Sequence, residues 1–448
     1  MKVAEGIGRL GAFQHAIISF IGDDGYPVAV ATGFRLVGGV IAIDPVGLEA
    51  AQLQGEQEIH LLFSHIRPQP GVGYDERNYV EFRGRLNTTG RLDRGAPAWT
   101  FIPAAARGWS EADIPFLELC ERALPQARRY LASLSHQRGV EVKPKMSLGL
   151  RFFLATRLPF LTATLVPVGL GIAAAATQHR FNLGLAALTF VGAIAVHLGL
   201  NVANDVFDAT SGADDYNVNP TMFSGGSRVI QYGLVSLRQM IAISAVAYAV
   251  AIAVGLYLAS VAWWGLLWLG IGGVLISYFY TAPPLRLVHR GLGELATALG
   301  FGPIMVLGAY YVQTGHYALR PLVLSIPVAL LVMLILYANE IPDRVADARA
   351  GKRTLVVMLS PKVVIRGYSM AAAAAYLALV VGVVAGPLPW PTLVALLTIL
   401  LAVRTRRGLE QNYDDPYVLM GSLQNNVVLH FSTGILLVAG TLLSLPLG

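Results

Sequence analysis

From about residue 150 onward the chain is a succession of apolar runs, each long enough to cross a lipid bilayer. A helix needs about 20 mainly apolar residues to span the hydrocarbon layer. Runs of that kind fall at 152–176, 183–203, 237–259, 262–281, 295–313, 321–339, 365–386, 388–404 and 424–446. Inside lipid the backbone must satisfy its own hydrogen bonds, so these runs predict an all-α polytopic bundle of nine transmembrane helices. The breaks "GPLPWP" (386–391) and "ASVAWW" (259–264) read as tight turns between spans. Only 13% of the residues are charged, against about 25% in a soluble chain, and the lipid bilayer is therefore the first expected partner.

Loop charge orients the bundle. With the N-terminal part placed in the cytoplasm, the loops on that side carry Arg228, Arg238, Arg286, Arg290, Arg344, Arg349, Lys352, Arg353, Lys362, Arg366, Arg404, Arg406 and Arg407, whereas the opposite loops carry only Arg180 and Arg320. The formal charge of +6 is then a topology signal, and no nucleic-acid partner is expected. The C-terminus falls on the opposite side. The start, MKVAEGIGRLGAF, has no apolar h-region, so no cleaved signal peptide is expected. A single cysteine, Cys120, leaves no internal disulfide and fits a reducing compartment.

Two acidic stretches break the apolar pattern on that same side. "NVANDVFDATSGADD" (201–215) places Asn201, Asp205 and Asp208 at helical spacing, and "YANEIPDRVADARAGKRTL" (337–355) spaces Asn339, Asp343 and Asp347 by four. Each set shares one helix face. Like charges brought together repel unless something positive lies between them. Mg²⁺ suits the oxygen-only donors, because it binds one or two carboxylates together with substrate phosphates. Arg228 in "GGSRVIQYG", Arg286 in "YTAPPLR", and Lys352 with Arg353 supply basic groups for a phosphate. The plain alternative for either stretch alone is a solvated helix end with capping carboxylates. A transporter with acidic gates is a further one, although no inverted repeat is visible.

These residues resemble the UbiA superfamily of intramembrane aromatic prenyltransferases, over about residues 148–448. One motif matches as Asn201, Asn204, Asp205 and Asp208, and the other as Asn339, Asp343 and Asp347. "GGSRVIQYGLVS", "YTAPPLRLVHRGLGELATALGFGPIMVLGAYYVQTG" and "PDRVADARAGKRTL" resemble the branch that prenylates 1,4-dihydroxy-2-naphthoate on the way to menaquinone. The resemblance implies a polyprenyl diphosphate and an aromatic small molecule as partners. It also implies two Mg²⁺, one held by Asp205 and Asp208 and the other by Asp343 and Asp347. Asn201, Asn204 and Asn339 would orient ligands or the diphosphate, which Arg228, Lys352 and Arg353 would bind. Tyr280 and Arg286 would lie near the departing group. Glu340-Ile341-Pro342 stands where Asp-Ile-Arg is commoner, with no ligand expected to be lost. Prenylation of 4-hydroxybenzoate or homogentisate, and ether-lipid synthesis, stay open within the superfamily.

Other groups carry two readings each. Tyr278, Phe279 and Tyr280 read either as cation-stabilising aromatics or as interfacial ones. His197 reads as a base or substrate contact, or as a packed histidine bonded to a carbonyl, and Asp214 and Asp215 read as loop residues or, for Asp214, as a group that reaches the site.

Residues 1–140 form a separate soluble domain, with 141–150 a polar linker and 151–448 the membrane part. "AFQHAIISFIGDDGYPVAVATGFRLVGGVIAI" alternates as strands with a DDG turn, "NYVEFRGRL" (78–86) is another strand, and 110–134 reads as an amphipathic helix opened by Ser110. The pattern resembles the FMN-binding split barrel of the pyridoxamine 5′-phosphate oxidase family, a β split barrel with flanking helices. FMN is the cofactor this implies, with Arg35, Ser64, His65, Arg67 and Arg77 as possible contacts. A flavin-free docking module is the alternative.

Overall fold

The computed structural model describes residues 1–22, 26–44, 58–69, 73–87, 99–144 and 146–445. The expected DDG turn at 23–25 lies outside the described residues. The chain divides into two compact units, Met1–Arg122 and Ala123–Gly448.

The first unit opens with α1 (Val3–Arg9), followed by β1 (Ala16–Ile21), β2 (Pro27–Thr32), β3 (Phe34–Val37), β4 (Val40–Ile43), β5 (Ile59–Gln69), β6 (Gly73–Asn87) and β7 (Trp99–Ser110). They form one antiparallel sheet in the order β2-β1-β5-β6-β7-β4-β3. It is a half-barrel with β2 and β3 as its two edges. Period-2 alternation drives it: Ala16, Ile18 and Phe20 of β1 and Val80 and Phe82 of β6 are buried, and their neighbours face outward. The β1–β2 hairpin forms as expected, with Ile21 opposite Pro27. β7 has no counterpart among the strands expected from the sequence, and it bridges β6 and β4. The following helix, α2 (Phe116–Arg138), starts later than Ser110. Ser110 ends β7, and Pro115 precedes the first helical residue, where a missing N–H costs nothing.

The second unit continues through α3 (Leu148–Thr156), α4 (Thr162–Ala176), α5 (Leu183–Ser211), α6 (Leu237–Ala262) and α7 (Leu266–Phe279). Next come α8 (Gly293–Leu299), α9 (Met305–Thr314), α10 (Leu319–Arg349), α11 (Leu355–Met358), α12 (Pro361–Val384), α13 (Ile399–Gln411) and α14 (Pro416–Leu442). Among the described residues, six helical stretches are long and apolar enough to cross a membrane: α5, α6, Gly293–Thr314, α10, α12 and α14. Three of the nine expected runs are not single unbroken helices of full length. The first run is broken between α3 and α4, where Arg157 adopts a left-handed conformation (φ 53°) and a 3₁₀ turn follows at Leu158–Leu161. α7 has 14 residues, about 21 Å at 1.5 Å per residue, short of a hydrocarbon core of about 30 Å. The run at 388–404 begins as a 3₁₀ helix, Trp390–Thr398, before α13.

α10 is the central helix. Its Leu324, Val328 and Val332 pack with Val166 and Leu170 of α4, Tyr310 of α9, Leu379 of α12 and Leu437 of α14. Small residues let these helices approach where no hydrophobic force draws them together in lipid. A Cβ at Gly171 of α4 would stand 2.3 Å from the Val306 carbonyl oxygen and 2.8 Å from Ala309 Cβ, whereas at Gly169 its nearest neighbour is Val438 Cγ2 at 4.0 Å. Gly171→Val should therefore destabilise the bundle by about 1–3 kcal/mol through overpacking. Gly169→Val should leave the thermal midpoint in detergent close to that of the parent. Equal midpoints for the two variants would contradict this packing.

Candidate active site

The second acidic face is placed by the end of α10. The helix stops where Gly351 takes φ 76°, and the Lys352 N–H turns back to donate to the Asp347 carbonyl at 2.9 Å, a glycine-dependent reversal. That turn folds Lys352 over its own helix end. Its Nζ lies 2.8 Å from Asp208 Oδ1 of α5 and 3.4 Å from Asp347 Oδ1. One ammonium thus joins the two acidic faces, with the lysine side chain only 9% exposed. Burial alone would lower the pKa of Lys352, but Asp208 and Asp347 outweigh it and hold the group well above the ordinary lysine value.

The loop after α5 lies across the same carboxylates. Asp343 accepts from Asn217 Nδ2 and from the Gly225 N–H, both at 2.8 Å. Asp205, buried, accepts from the Ser227 N–H at 3.2 Å. Gly226 is required here: its φ is 73°, and a Cβ would stand 3.2 Å from both Asp205 Oδ1 and Asp214 Oδ1. The result is a buried polar cavity of about 110 Å³ walled by Asn204, Asp208, Asn339, Asp343, Asp347 and Lys352, with Tyr280 at its inner side.

A second cavity of about 150 Å³ continues inward, lined by Asn201, Asn204, Asn339, Phe160, His197 and Phe301. A third, a half-open groove of about 190 Å³, runs on between α5, α6, α7 and α8–α9. Tyr280 borders all three. His197 is buried against Phe301, ring centroids 5.1 Å apart, and its Nδ1 pairs with the Thr164 hydroxyl at 2.6 Å. It is therefore a packed histidine, held by a hydroxyl and not by the expected carbonyl.

Other sequence-derived residues stand apart. Arg228 is buried but gives its guanidinium to the Asp214 carbonyl oxygen. Arg286 and Arg353 are exposed and do not border the polar cavity, although their loops meet where the Arg353 N–H donates to the His289 carbonyl at 3.2 Å.

The structure adds groups that the motif spacing did not single out. Arg157 borders both polar cavities from the break between α3 and α4. A lone cation inside an apolar run is a functional signal in itself, and "LATRLPFL" (154–161) displays it. Asp214, which the sequence leaves either in the loop or at the site, turns inward and accepts from Gln231 Nε2 at 2.8 Å. Burial first, then Asp208 and Asp205, push its carboxyl up to about 8. Glu340 borders the cavity as well, 5% exposed.

Among the described residues no group of three or more His, Cys, Asp or Glu side chains is arranged as a ready metal cage. The donor set nevertheless fits Mg²⁺, which takes oxygen ligands and leaves several positions to water and phosphate. Pairs of carboxylates on facing helices answer that need better than a closed cage would.

Removing Lys352 leaves buried carboxylates unpaired, which typically costs about 3–5 kcal/mol. Lys352→Met should lower the thermal midpoint in chelator, and added Mg²⁺ should raise it by more than it raises that of the parent. An equal Mg²⁺ response in both proteins would show that the ion and the lysine do not share these carboxylates.

A family model for the UbiA prenyltransferase family matches residues 164–442. Over 307 residues the chain is 27% identical to a 1,4-dihydroxy-2-naphthoate octaprenyltransferase of Bacillus subtilis, covering 68% of this chain and 96% of that protein. It is 28% identical over 291 residues to a 2-carboxy-1,4-naphthoquinone phytyltransferase of Synechocystis, covering 64% and 91%. A solved UbiA homolog from Archaeoglobus fulgidus bound to GPP and Mg²⁺ superposes with a TM-score of 0.47 at 14% identity, covering 64% of this chain and 99% of that one. With the family model spanning more than half of its residues, this chain belongs to the UbiA prenyltransferase family and is an integral membrane prenyltransferase.

Proposed function

We propose that the protein transfers a polyprenyl group from an allylic polyprenyl diphosphate to 1,4-dihydroxy-2-naphthoate, in a Mg²⁺-dependent reaction that leads towards menaquinone. The observation that carries this reading is the convergence of two carboxylate faces, Lys352 and Arg157 on one buried cavity that opens inward onto an apolar groove. The names of the two relatives above support the naphthoate ring over other acceptors.

In this reading Asp205 with Asp208, and Asp343 with Asp347, would hold Mg²⁺. When bound, Mg²⁺ would supply electrostatic stabilisation for the charge that develops on the leaving group. Lys352 and Arg157 bind the same oxygens directly, Arg157 through a fork suited to phosphate, and Asn204 and Asn339 orient what lies between. Arg228 acts at one remove, by holding the Asp214 loop, and Arg286 and Arg353 act at the entrance. The allylic C–O bond breaks with its electron pair leaving on the diphosphate. Tyr280 faces the carbon that becomes cationic, and the apolar walls keep water from it. The acceptor ring lies in the middle cavity beside Phe160 and Phe301, where its carbon forms the new C–C bond. The ring carboxylate then leaves as CO₂, returning the bonding electrons to the ring.

The distribution of basic loops supports a cytoplasmic N-terminus and site entrance, with the C-terminus opposite. For the first unit, the candidate FMN contacts lie on different strands. Arg35 lies on β3 and Ser64 and His65 on β5, with three strands between them, and Arg77 is paired with Glu111 and stacked on Phe116 at 4.0 Å. The side chain of Arg67 lies outside the described residues.

Assays in nanodiscs with Mg²⁺, a polyprenyl diphosphate and 1,4-dihydroxy-2-naphthoate test the proposal by the mass of the product. Asp205→Asn and Asp343→Asn should each lower kcat by about 10²–10³, the loss typical of a removed transition-state electrostatic contact. Product from another ring alone would replace the naphthoate. Absence of both turnover and diphosphate binding would remove the transferase reading of this site.

A further inference from the structure

The part of the second unit that precedes the membrane helices grips one turn of the site loop. From Ala123 onward α2 belongs to that unit, and the chain beyond it loops back, the Val142 N–H donating to Ser135 Oγ at 2.8 Å. Arg128, about two turns earlier on α2, donates from Nε at 2.9 Å and from Nη2 at 2.6 Å to the Gln231 carbonyl. From α3, Arg151 donates to the Leu234 carbonyl at 3.2 Å. Both arginines precede residues 164–442, the stretch that the family model matches.

The gripped turn runs from Arg228 to Val235. It is closed by the Tyr232 N–H donating to the Arg228 carbonyl and the Leu234 N–H donating to the Val229 carbonyl, both at 2.9 Å. Its apolar residues Val229 and Leu234 pack with Ala155 of α3 and with Val202 and Val206 of α5. Its polar residue Gln231, 4% exposed, reaches the other way and donates from Nε2 to Asp214 Oδ2 at 2.8 Å. Immediately before the turn, the Gly225 N–H donates to Asp343 and the Ser227 N–H to Asp205. The turn therefore anchors the stretch that brings donors to three carboxylates, while two arginines hold its own carbonyls.

Resting on the function proposed above, we propose that Arg128 is a positioning residue for the polar cavity. By fixing the Gln231 carbonyl it fixes the turn, and the turn fixes the donors on Asp205, Asp214 and Asp343. An arginine suits the task, because two N–H groups of its rigid fork on one oxygen set direction as well as distance. Arg128 is itself exposed and does not border the cavity, so it touches no reacting group and acts through the backbone alone. Arg151 grips the same turn from α3. Loss of Arg128 therefore loosens the turn without releasing it, and the effect falls on cation affinity more than on the chemical step.

The test uses the full chain in nanodiscs and takes two readings. One is hydrogen exchange of the amides of residues 225–235 in chelator, without substrate; the other is the Mg²⁺ dependence of prenyl transfer. The parent is compared with Arg128→Ala, Arg128→Lys and Arg129→Ala, the last removing the neighbouring exposed charge about 100° around the helix. Arg128→Ala should exchange several-fold faster over 225–235 and need about tenfold more Mg²⁺ for half-saturation, a change within reach of one lost hydrogen bond to a charged group. Its kcat at saturating Mg²⁺ should stay close to that of the parent. Arg128→Lys, which keeps the charge without the fork, should fall between the two, and Arg129→Ala should match the parent in both readings. Parent-like exchange and Mg²⁺ response in Arg128→Ala, or equal changes in Arg128→Ala and Arg129→Ala, overturn the assignment. A fall in kcat with an unchanged Mg²⁺ requirement overturns it as well. If Arg128→Ala loses its thermal transition, Arg128→Lys decides by the same readings. A parent whose transfer needs no Mg²⁺ defeats the metal reading of the site, whereas exchange measured in chelator still decides whether Arg128 holds the turn.

Discussion

A single buried ammonium holds the polar end of the membrane unit together. Asp208 comes from α5 and Asp347 from α10, and Lys352 stands between them. Without it, two carboxylate faces would confront one another in a low-dielectric interior, where like charges repel far more strongly than in water. The lysine reaches that position only because α10 ends in a glycine turn that reverses the chain just beyond Asp347. The loop after α5 completes the arrangement by pointing the Gly225 and Ser227 N–H groups, and the Asn217 amide, at the remaining carboxylates. Asp214 lies beside them, its carboxyl pushed up by burial first and then by Asp208 and Asp205.

The same two helices define the change from polar to apolar along the site. α5 and α10 bring their amide and carboxylate groups to one end, while their middles carry Ala, Val and Leu into the bundle core. Tyr280 sits at the change of environment and borders every cavity on the path. A reaction that separates a multiply charged leaving group from an allylic cation benefits from such a gradient. The anion is stabilised by fixed charges, and the cation is shielded from water by hydrocarbon and aromatic walls.

The first unit obeys a different logic. Its half-barrel is built by alternation around a core that includes Phe63, Phe82 and Phe101. Its outer face carries a line of charge in which Glu81 of β6 accepts from Arg107 of β7 at 2.5 Å and pairs with His60 of β5 at 2.9 Å. Cross-strand pairs of this kind stabilise a sheet.

The sequence by itself determined the membrane class and the existence of two acidic helix faces, because both depend on local periodicity. A run of about 20 apolar residues, or carboxylates at four-residue spacing, has the same meaning wherever the chain goes. It did not determine where those runs are broken or shortened: Arg157 with its left-handed backbone, the brevity of α7 and the 3₁₀ turn at Trp390 depend on how neighbouring segments pack. β7 was missed for a related reason, since pairing with β6 and β4 across long sequence separation makes it a strand. Tertiary structure alone decided that Lys352, of the several basic candidates, meets both acidic faces while Arg286 and Arg353 stay at the surface. It alone decided that Arg157, Asp214 and Glu340 join the cavity, since electrostatic and steric partners are set by distance in space, which spacing along one helix cannot specify.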